Sequence, residues 1–164
     1  MSPIISRIAS LIISLWVAKV FLSSLPYKFT DHPDTLHIFG TIGQWMSDTI
    51  AVDLGVFFAS YGAYIVGTVE LIAASILLVA SAIWALRKAS ICDANINEQN
   101  LFLVGGLLSA AIMSGAAFFH LFTPLGIEVI HEGGSDGGSL FYAAVSIFFL
   151  GLILAFINKP TTNS

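Results

Sequence analysis

The sequence has little charge. Only 10% of its 164 residues are charged, against roughly a quarter in a typical soluble domain. Hydrophobic residues make up 57% of the chain, and the mean hydropathy is +0.91. So few ionised groups would not cover the surface of a water-soluble globule of this size. The composition excludes an ordinary cytosolic enzyme and a disordered chain, and it predicts one integral membrane domain over residues 1–164.

Basic residues and cysteine are also scarce. Six Lys and Arg face ten Asp and Glu, which leaves a net charge of −4 and excludes a nucleic-acid partner. The single cysteine, Cys92, excludes an internal disulfide, a CxxC redox pair and a cysteine-based zinc site. The sequence contains no GxGxxG, P-loop or HExxH motif. Nucleotide-binding and metalloprotease functions are therefore not indicated.

Four apolar stretches are long enough to cross a bilayer, which needs about 20 apolar residues per helix. They run over residues 4–25, 56–86, 101–122 and 139–157. We predict an all-α membrane protein, a four-transmembrane-helix bundle, with the first span ending at Pro26. A cleaved signal peptide is the alternative for the N-terminus, but Lys19 interrupts the apolar run and no small-x-small cleavage site follows.

The basic residues predict the orientation. Arg7, Arg87, Lys88 and Lys159 flank the spans on one side, whereas Lys28 is alone among the acidic residues of the other two connections. The positive-inside rule then places both termini and the 91–100 loop in the cytoplasm, with Cys92 on the reducing side. We expect a multi-pass protein of the bacterial inner (cytoplasmic) membrane, with the 26–55 and 124–138 loops outside.

The first outer loop contains apolar residues at helical spacing. These residues are Leu36, Ile38, Phe39, Ile42, Trp45 and Met46. The pattern predicts a short amphipathic helix lying at the membrane interface. It could serve as a plug in the outer mouth of the bundle or as a substrate-sensing lid, and the sequence does not decide between them.

Three ionisable residues, Lys19, Glu70 and His120, lie inside the predicted spans, where a charge is costly and is normally paired. At a rise of 1.5 Å per residue, they lie about 22, 25 and 28 Å from the cytoplasmic ends of their spans. All three therefore converge on the outer third of the membrane, and Lys28 and Asp136 lie just above them. We predict that these five residues form one polar cluster.

Small residues accompany two members of this cluster. Ala63, Gly67 and Ala74 share a helical stripe with Glu70, and Gly106, Ala110, Met113 and Ala117 share one with His120. Small residues mark helix contacts in membranes, so Glu70 and His120 should point toward neighbouring helices. Each residue also has a structural interpretation: Lys19 can snorkel to the surface, a protonated Glu70 can join two helices, and His120 can be interfacial.

The cluster has the chemistry of a proton-exchanging site. Glu70 and His120, as catalytic groups, could exchange protons with a quinone at the outer leaflet, while Lys19 or Lys28 stabilises negative charge on its oxygen. Asp136 is a further candidate for ligand binding. A metal site built from Glu70, His120, His131 and Asp136 is an alternative whose spacing is not diagnostic. The sequence indicates no haem or flavin, and quinone is the one cofactor that it suggests.

Short motifs of this chain resemble those of DoxX-like (DoxX/DoxD) membrane proteins. They are Leu25-Pro26-Tyr27-Lys28-Phe29-Thr30 with His37-Ile38-Phe39, Gly67-Thr68-Val69-Glu70-Leu71, His120-Leu121, Leu125-Gly126-Ile127-Glu128 and Asp136-Gly137-Gly138. Residues 131–135 make the last turn longer than is usual in the family. The resemblance implies a four-helix bundle with Lys28, Glu70, His120 and Asp136 as polar signature residues. It also points toward the membrane subunit of thiosulfate:quinone oxidoreductase, although some relatives are assembly proteins.

Two functions from different classes follow. The first is a redox-associated subunit that binds a quinone-like ligand in an outer-leaflet pocket, with the lipid bilayer and other membrane or periplasmic redox subunits as partners. The second is a non-catalytic assembly or interaction protein whose buried polar cluster is structural. A small proton-coupled transporter is a third, but the sequence shows neither paired half-repeats nor broken helices.

Overall fold

The computed structural model describes residues 3–91 and 96–160, so Cys92 lies outside the described residues. The elements are α1 (Pro3–Phe29), α2 (Pro33–Thr49), α3 (Val52–Lys88), α4 (Glu98–Phe122), β1 (Ile130–His131), β2 (Gly134–Ser135) and α5 (Ser139–Ile157). The two strands form a small antiparallel hairpin in which Ile130 pairs with Ser135 and His131 with Gly134.

Four of the five helices in the described ranges are long and apolar enough to cross a membrane, namely α1, α3, α4 and α5. These helices pack together around apolar side chains that are almost completely buried, among them Val17, Phe21, Leu77, Phe102, Ile147 and Leu154. The prediction of four apolar helices in one bundle is confirmed.

The predicted end of the first span is wrong. Instead of stopping at Pro26, α1 continues through the proline to Phe29. A proline lacks one backbone donor and its ring crowds the preceding turn. Here the Leu22 carbonyl loses its helical donor, and only three residues of α1 follow the proline. The contacts of Lys28 with α3, described below, hold this final turn in place. The second and third spans also begin earlier than predicted, at Val52 and Glu98.

The first predicted outer loop contains the helix α2, which folds back on α3. It buries Phe39, Ile42 and Met46, and Ile42 and Met46 pack against Leu125 and Val129 of the α4–α5 connection. The location of α2 at the membrane interface stays a prediction.

Two glycines bring α2 and α3 into backbone contact. A Cβ atom placed on Gly43 would lie 2.6 Å from the Gly55 carbonyl oxygen, and one placed on Gly55 would lie 2.2 Å from that of Gly43. Both distances are too short for any real Cβ. Glycine at both positions therefore permits the close packing of the two helices.

One end of the bundle carries a polar network that we call the basic end, defined by Arg7, Arg87 and Glu98. Glu98 is buried and forms ion pairs with Arg7 at 3.3 Å and with Arg87. At the same end, the Asn158 side-chain amide donates to the Ser10 hydroxyl at 2.8 Å. The start of α1, the α3–α4 connection and the end of α5 thus share one end of the bundle, and the orientation of this end in a membrane stays a prediction.

Candidate functional site

A cavity of about 650 Å³ lies among the helices at the end opposite to the basic end. This volume is within the range of small-molecule sites. All five helices contribute to its walls, which are mainly apolar and include Ile38, Phe39, Phe58, Val69, Phe119 and Leu125. Its polar lining residues include Ser24, Lys28, Glu70, His120 and Asp136. The cavity therefore contains four of the five residues that the sequence predicts to cluster.

Glu70 and Lys28 form a buried ion pair between α3 and α1. The Lys28 Nζ atom lies 2.9 Å from Glu70 Oε2, and the Ser24 hydroxyl donates to the same oxygen at 2.8 Å. Lys28 also donates to the Ser24 hydroxyl at 2.8 Å. Because Ser24 and Lys28 are one turn apart, both side chains reach Glu70 from the same face of α1. The Glu70 side chain is only 4% exposed, so this pairing offsets the cost of burying its charge.

The small-residue stripe of α3 lets α1 approach Glu70. Gly67, one turn before Glu70, is buried. A Cβ atom on Gly67 would meet the ring of Phe29 at 3.2 Å and the Cβ of Lys28 at 3.4 Å. The absence of a side chain at Gly67 therefore makes room for the α1 turn that carries Lys28. The prediction that this stripe is a contact face is confirmed by the burial of Ala63, Gly67, Glu70 and Ala74.

His120 lies at the end of α4 and is buried. Its Nδ1 atom is 2.7 Å from the carbonyl oxygen of Gly126 in the following loop, and its ring packs edge-on against Phe141 of α5. The loop can turn back to this ring because Gly126 adopts a positive φ of 73°, which favours glycine. His120 is thus fixed in orientation while its ring lines the cavity.

Asp136 borders the cavity, but its carboxylate oxygens accept hydrogen bonds from the chain itself. Oδ1 accepts hydrogen bonds from the backbone of Val129 at 2.8 Å and Gly138 at 2.9 Å. Oδ2 accepts from the backbone of Leu140 at 3.0 Å. Burial raises the pKa of this carboxyl, but the backbone donors outweigh it and hold the pKa below its ordinary value. Asp136 therefore caps the start of α5 and fixes the preceding loop.

The structure does not bring Lys19 to the cluster. Its side chain is exposed, and its Nζ atom lies over the ring of Trp16 on the outer face of α1, 5.3 Å from the ring centroid. Lys19 and Lys28 are nine residues apart, about two and a half turns at 3.6 residues per turn. They therefore point to opposite sides of α1. The predicted depth does not define which face of the helix a residue occupies.

A histidine-rich contact joins α2 to the hairpin above the cavity. His131 Nδ1 lies 3.0 Å from Asp34 Oδ1, and the His131 ring stacks on His37 at a centroid distance of 4.5 Å. Within residues 3–91 and 96–160, no three His, Cys, Asp or Glu side chains are grouped so that they could hold a metal ion. The alternative of a metal site at Glu70, His120, His131 and Asp136 thus has no support from the geometry.

Sequence reasoning missed three parts of the site. These are the Ser24 hydroxyl, the Gly126 carbonyl and the contribution of α2 to the walls. The spacing of Ser24 and Lys28 on one helix face could have identified the first. The role of the Gly126 carbonyl could not be predicted, because every residue type has a backbone carbonyl. The position of α2 over the bundle depends on tertiary packing, which the residue pattern does not give.

The fold and the cavity define the chain as a bundle of apolar helices, four of membrane-spanning length, with a polar site at one end. No family model matches the chain, and no curated protein or solved structure matches it either. The resemblance to DoxX-like proteins therefore depends on the short motifs quoted above and stays a prediction.

Proposed function

We propose that this chain is a DoxX-like, redox-associated membrane subunit that binds a quinone-like ligand in the cavity. One observation carries the proposal: Lys28, Glu70 and His120, which belong to three different helices, line a single cavity that is otherwise mainly apolar. An apolar pocket with a few converging polar groups suits a lipophilic ring that carries oxygen atoms.

Each polar group has a role in this proposal. His120 exchanges a proton with a ligand oxygen, and the Lys28 ammonium stabilises negative charge on it. Glu70 holds Lys28 in position through the 2.9 Å ion pair and is the second group able to accept a proton. Asp136 contributes by fixing the loop that closes this side of the cavity.

The proposal includes the location and partners of the protein. The basic end, with Arg7 and Arg87, would face the cytoplasm under the positive-inside rule, which places both termini there. The cavity would then open in the outer leaflet of a bacterial inner membrane. Periplasmic or membrane-bound redox subunits could approach it from that side, with the lipid bilayer supplying the ligand.

The first experiment asks whether quinone is bound. The protein, purified in mild detergent, should yield quinone on solvent extraction, and added quinone should raise the temperature of unfolding. Complete absence of quinone together with no thermal protection would contradict the proposal.

A matched pair of glycine variants tests the place of binding. Gly115 lines the cavity, and a Cβ atom there would meet nothing within 4 Å, so Gly115→Leu should fill part of the cavity and reduce thermal protection by quinone. Gly40 in α2 is equally open but does not line the cavity, so Gly40→Leu should keep that protection. Equal protection of both variants would place the ligand elsewhere.

The alternative function is that of a non-catalytic assembly or interaction protein. This alternative is favoured because the carboxylates of the cluster already have partners within the chain. Glu70 binds Ser24 and Lys28, and Asp136 binds backbone donors. Under this alternative, Glu70→Gln should lower stability or the recovery of a partner protein, whereas quinone should neither bind nor protect the wild-type chain.

A further inference from the structure

The hydrogen bond of His120 defines the tautomer of its ring. The Gly126 carbonyl oxygen, 2.7 Å from Nδ1, can only accept a hydrogen bond, so Nδ1 carries the proton. Among the described residues, no carboxylate forms an ion pair with His120, and the residue is only 7% exposed. In the neutral imidazole with its proton on Nδ1, the Nε2 atom carries a bare lone pair.

The Nε2 atom is available to a ligand. It makes no hydrogen bond to another described residue, and it is not among the fully enclosed polar atoms that lack a partner. Because the His120 ring lines the cavity and Nδ1 is turned toward the Gly126 loop, Nε2 is the polar atom that this ring offers to the cavity. The cavity thus presents a hydrogen-bond acceptor at His120.

Lys28 presents the opposite polarity. An ammonium group has three N–H donors, and two of them serve Ser24 and Glu70. The side chain lines the cavity and is 16% exposed, so its third donor can reach a ligand oxygen. The Thr35 hydroxyl, which also lines the cavity, can donate or accept a hydrogen bond, so it favours neither a donor nor an acceptor on the ligand.

We propose that the site prefers the hydroxyl-bearing form of its ligand, a hydroquinone or another phenol, over the quinone. The proposal rests on the proposed function. A phenolic O–H donates to His120 Nε2, and a ligand oxygen accepts from Lys28. A quinone has only acceptor oxygens, so it can satisfy Lys28 but would set an oxygen lone pair against the lone pair of Nε2.

A ligand series on the wild-type protein tests this preference without any variant. Four compounds with the same ring and tail are titrated under argon: the hydroquinone, its monomethyl ether, its dimethyl ether and the quinone. Intrinsic fluorescence reports the dissociation constants. The hydroquinone should bind about threefold to tenfold more tightly than the dimethyl ether and the quinone, the range expected for one net hydrogen bond. The monomethyl ether, which keeps one O–H, should retain part of the preference.

Two variants locate the effect. His120→Phe removes the acceptor, so the hydroquinone and the quinone should bind it with equal affinity. Lys19→Gln changes a lysine on the outer face of α1 and should keep the wild-type preference. Equal affinity of all four compounds for the wild-type protein would overturn this inference and leave the proposed function standing. If none of the four compounds binds, the proposed function is wrong and the inference fails with it.

Discussion

The two ends of the bundle both contain buried polar groups, but they differ in what surrounds those groups. At the basic end, Glu98 is held between Arg7 and Arg87, and the nearby backbones of α4 and α5 touch at Gly106 and Gly151. At the other end, the Lys28–Glu70 pair and His120 border a cavity of about 650 Å³.

This difference shows that burial of a charge does not by itself indicate a ligand site. Glu98 and Glu70 are both nearly inaccessible and both bind basic groups. The candidate site is distinguished by hydrogen-bonding capacity that faces open space, at Lys28 and at His120. The following predictions test this comparison, from the largest expected effect to the smallest.

Replacing Glu98 should have the largest effect on stability. Glu98→Ala removes the shared carboxylate and leaves two partly buried guanidinium groups without it. Loss of one partner of a buried pair costs about 3–5 kcal/mol, and we expect about 3 kcal/mol because both arginines are partly exposed. Chemical unfolding in detergent measures the change, with Asp48→Ala at an exposed carboxylate as the control. A loss no larger than that of the control would show that the basic end is held by other contacts.

Adding one methyl group on α4 should separate the packed end from the open end. The Cβ of Gly106→Ala would lie 2.7 Å from the Gly151 carbonyl oxygen, whereas that of Gly115→Ala would meet nothing within 4 Å. Overpacking costs about 1–3 kcal/mol, so Gly106→Ala should lower the free energy of unfolding by that amount and Gly115→Ala should not lower it. Equal losses would mean that both changes act through the helix backbone.

Neutralising each buried glutamate should distinguish their functions. Glu70→Gln loses one ion pair and Glu98→Gln loses two. Each variant keeps an oxygen acceptor, so each should cost about 1–3 kcal/mol in stability. Only Glu70→Gln should also weaken ligand binding, because it leaves Lys28 less firmly positioned at the cavity. Titration of both folded variants with the hydroquinone checks this. An equal loss of affinity in both would indicate an indirect effect on the whole bundle.

The Asp136 cap should give the smallest effect, and one that depends on pH. Because the pKa of Asp136 is lowered in the folded chain, its contribution is complete above the ordinary value of 3.8 and is lost as the pH falls through the lower folded pKa. Asp136→Asn should therefore cost about 1 kcal/mol at pH 7, because the amide nitrogen that replaces one carboxylate oxygen cannot accept the hydrogen bonds made there.

The same variant should show almost no difference from the wild-type protein in strong acid, where both side chains are uncharged. Unfolding midpoints followed from pH 7 into strong acid, until the difference stops changing, make the comparison, with the exposed Asp48→Asn as the control. A difference that persists unchanged in acid would mean that Asp136 acts through its shape alone.

Much of the fold could be predicted from hydropathy, because an apolar run of sufficient length has few alternatives to a membrane helix. The partners of Glu70 were less predictable. Counting residues along a span gives the depth of each residue in the membrane, and by depth alone Lys19 lies at about the same level as Glu70. The choice between Lys19 and Lys28 depends on the rotation of α1, which is set by packing against Gly67 and by the continuation of the helix past Pro26.

A pocket beside the polar cluster was predicted, but the apolar residues that form its walls were not predictable from residue patterns. Its walls include Phe39 of α2 and Phe58 of α3, and their positions depend on α2 folding back onto the bundle. His120 was identified from its depth, but its tautomer depends on the carbonyl of Gly126, a backbone atom that every residue type has.

The contact of Gly43 with Gly55 sets a limit on how this protein can vary. At these glycines, helix α2 contacts α3 through main-chain atoms, so a cavity-lining side chain such as Ile38 can be exchanged without changing this contact. A side chain at either glycine would instead push α2 away from α3. The side chains that line the cavity are thus free to change in evolution, whereas the architecture that encloses the cavity is constrained at Gly43 and Gly55.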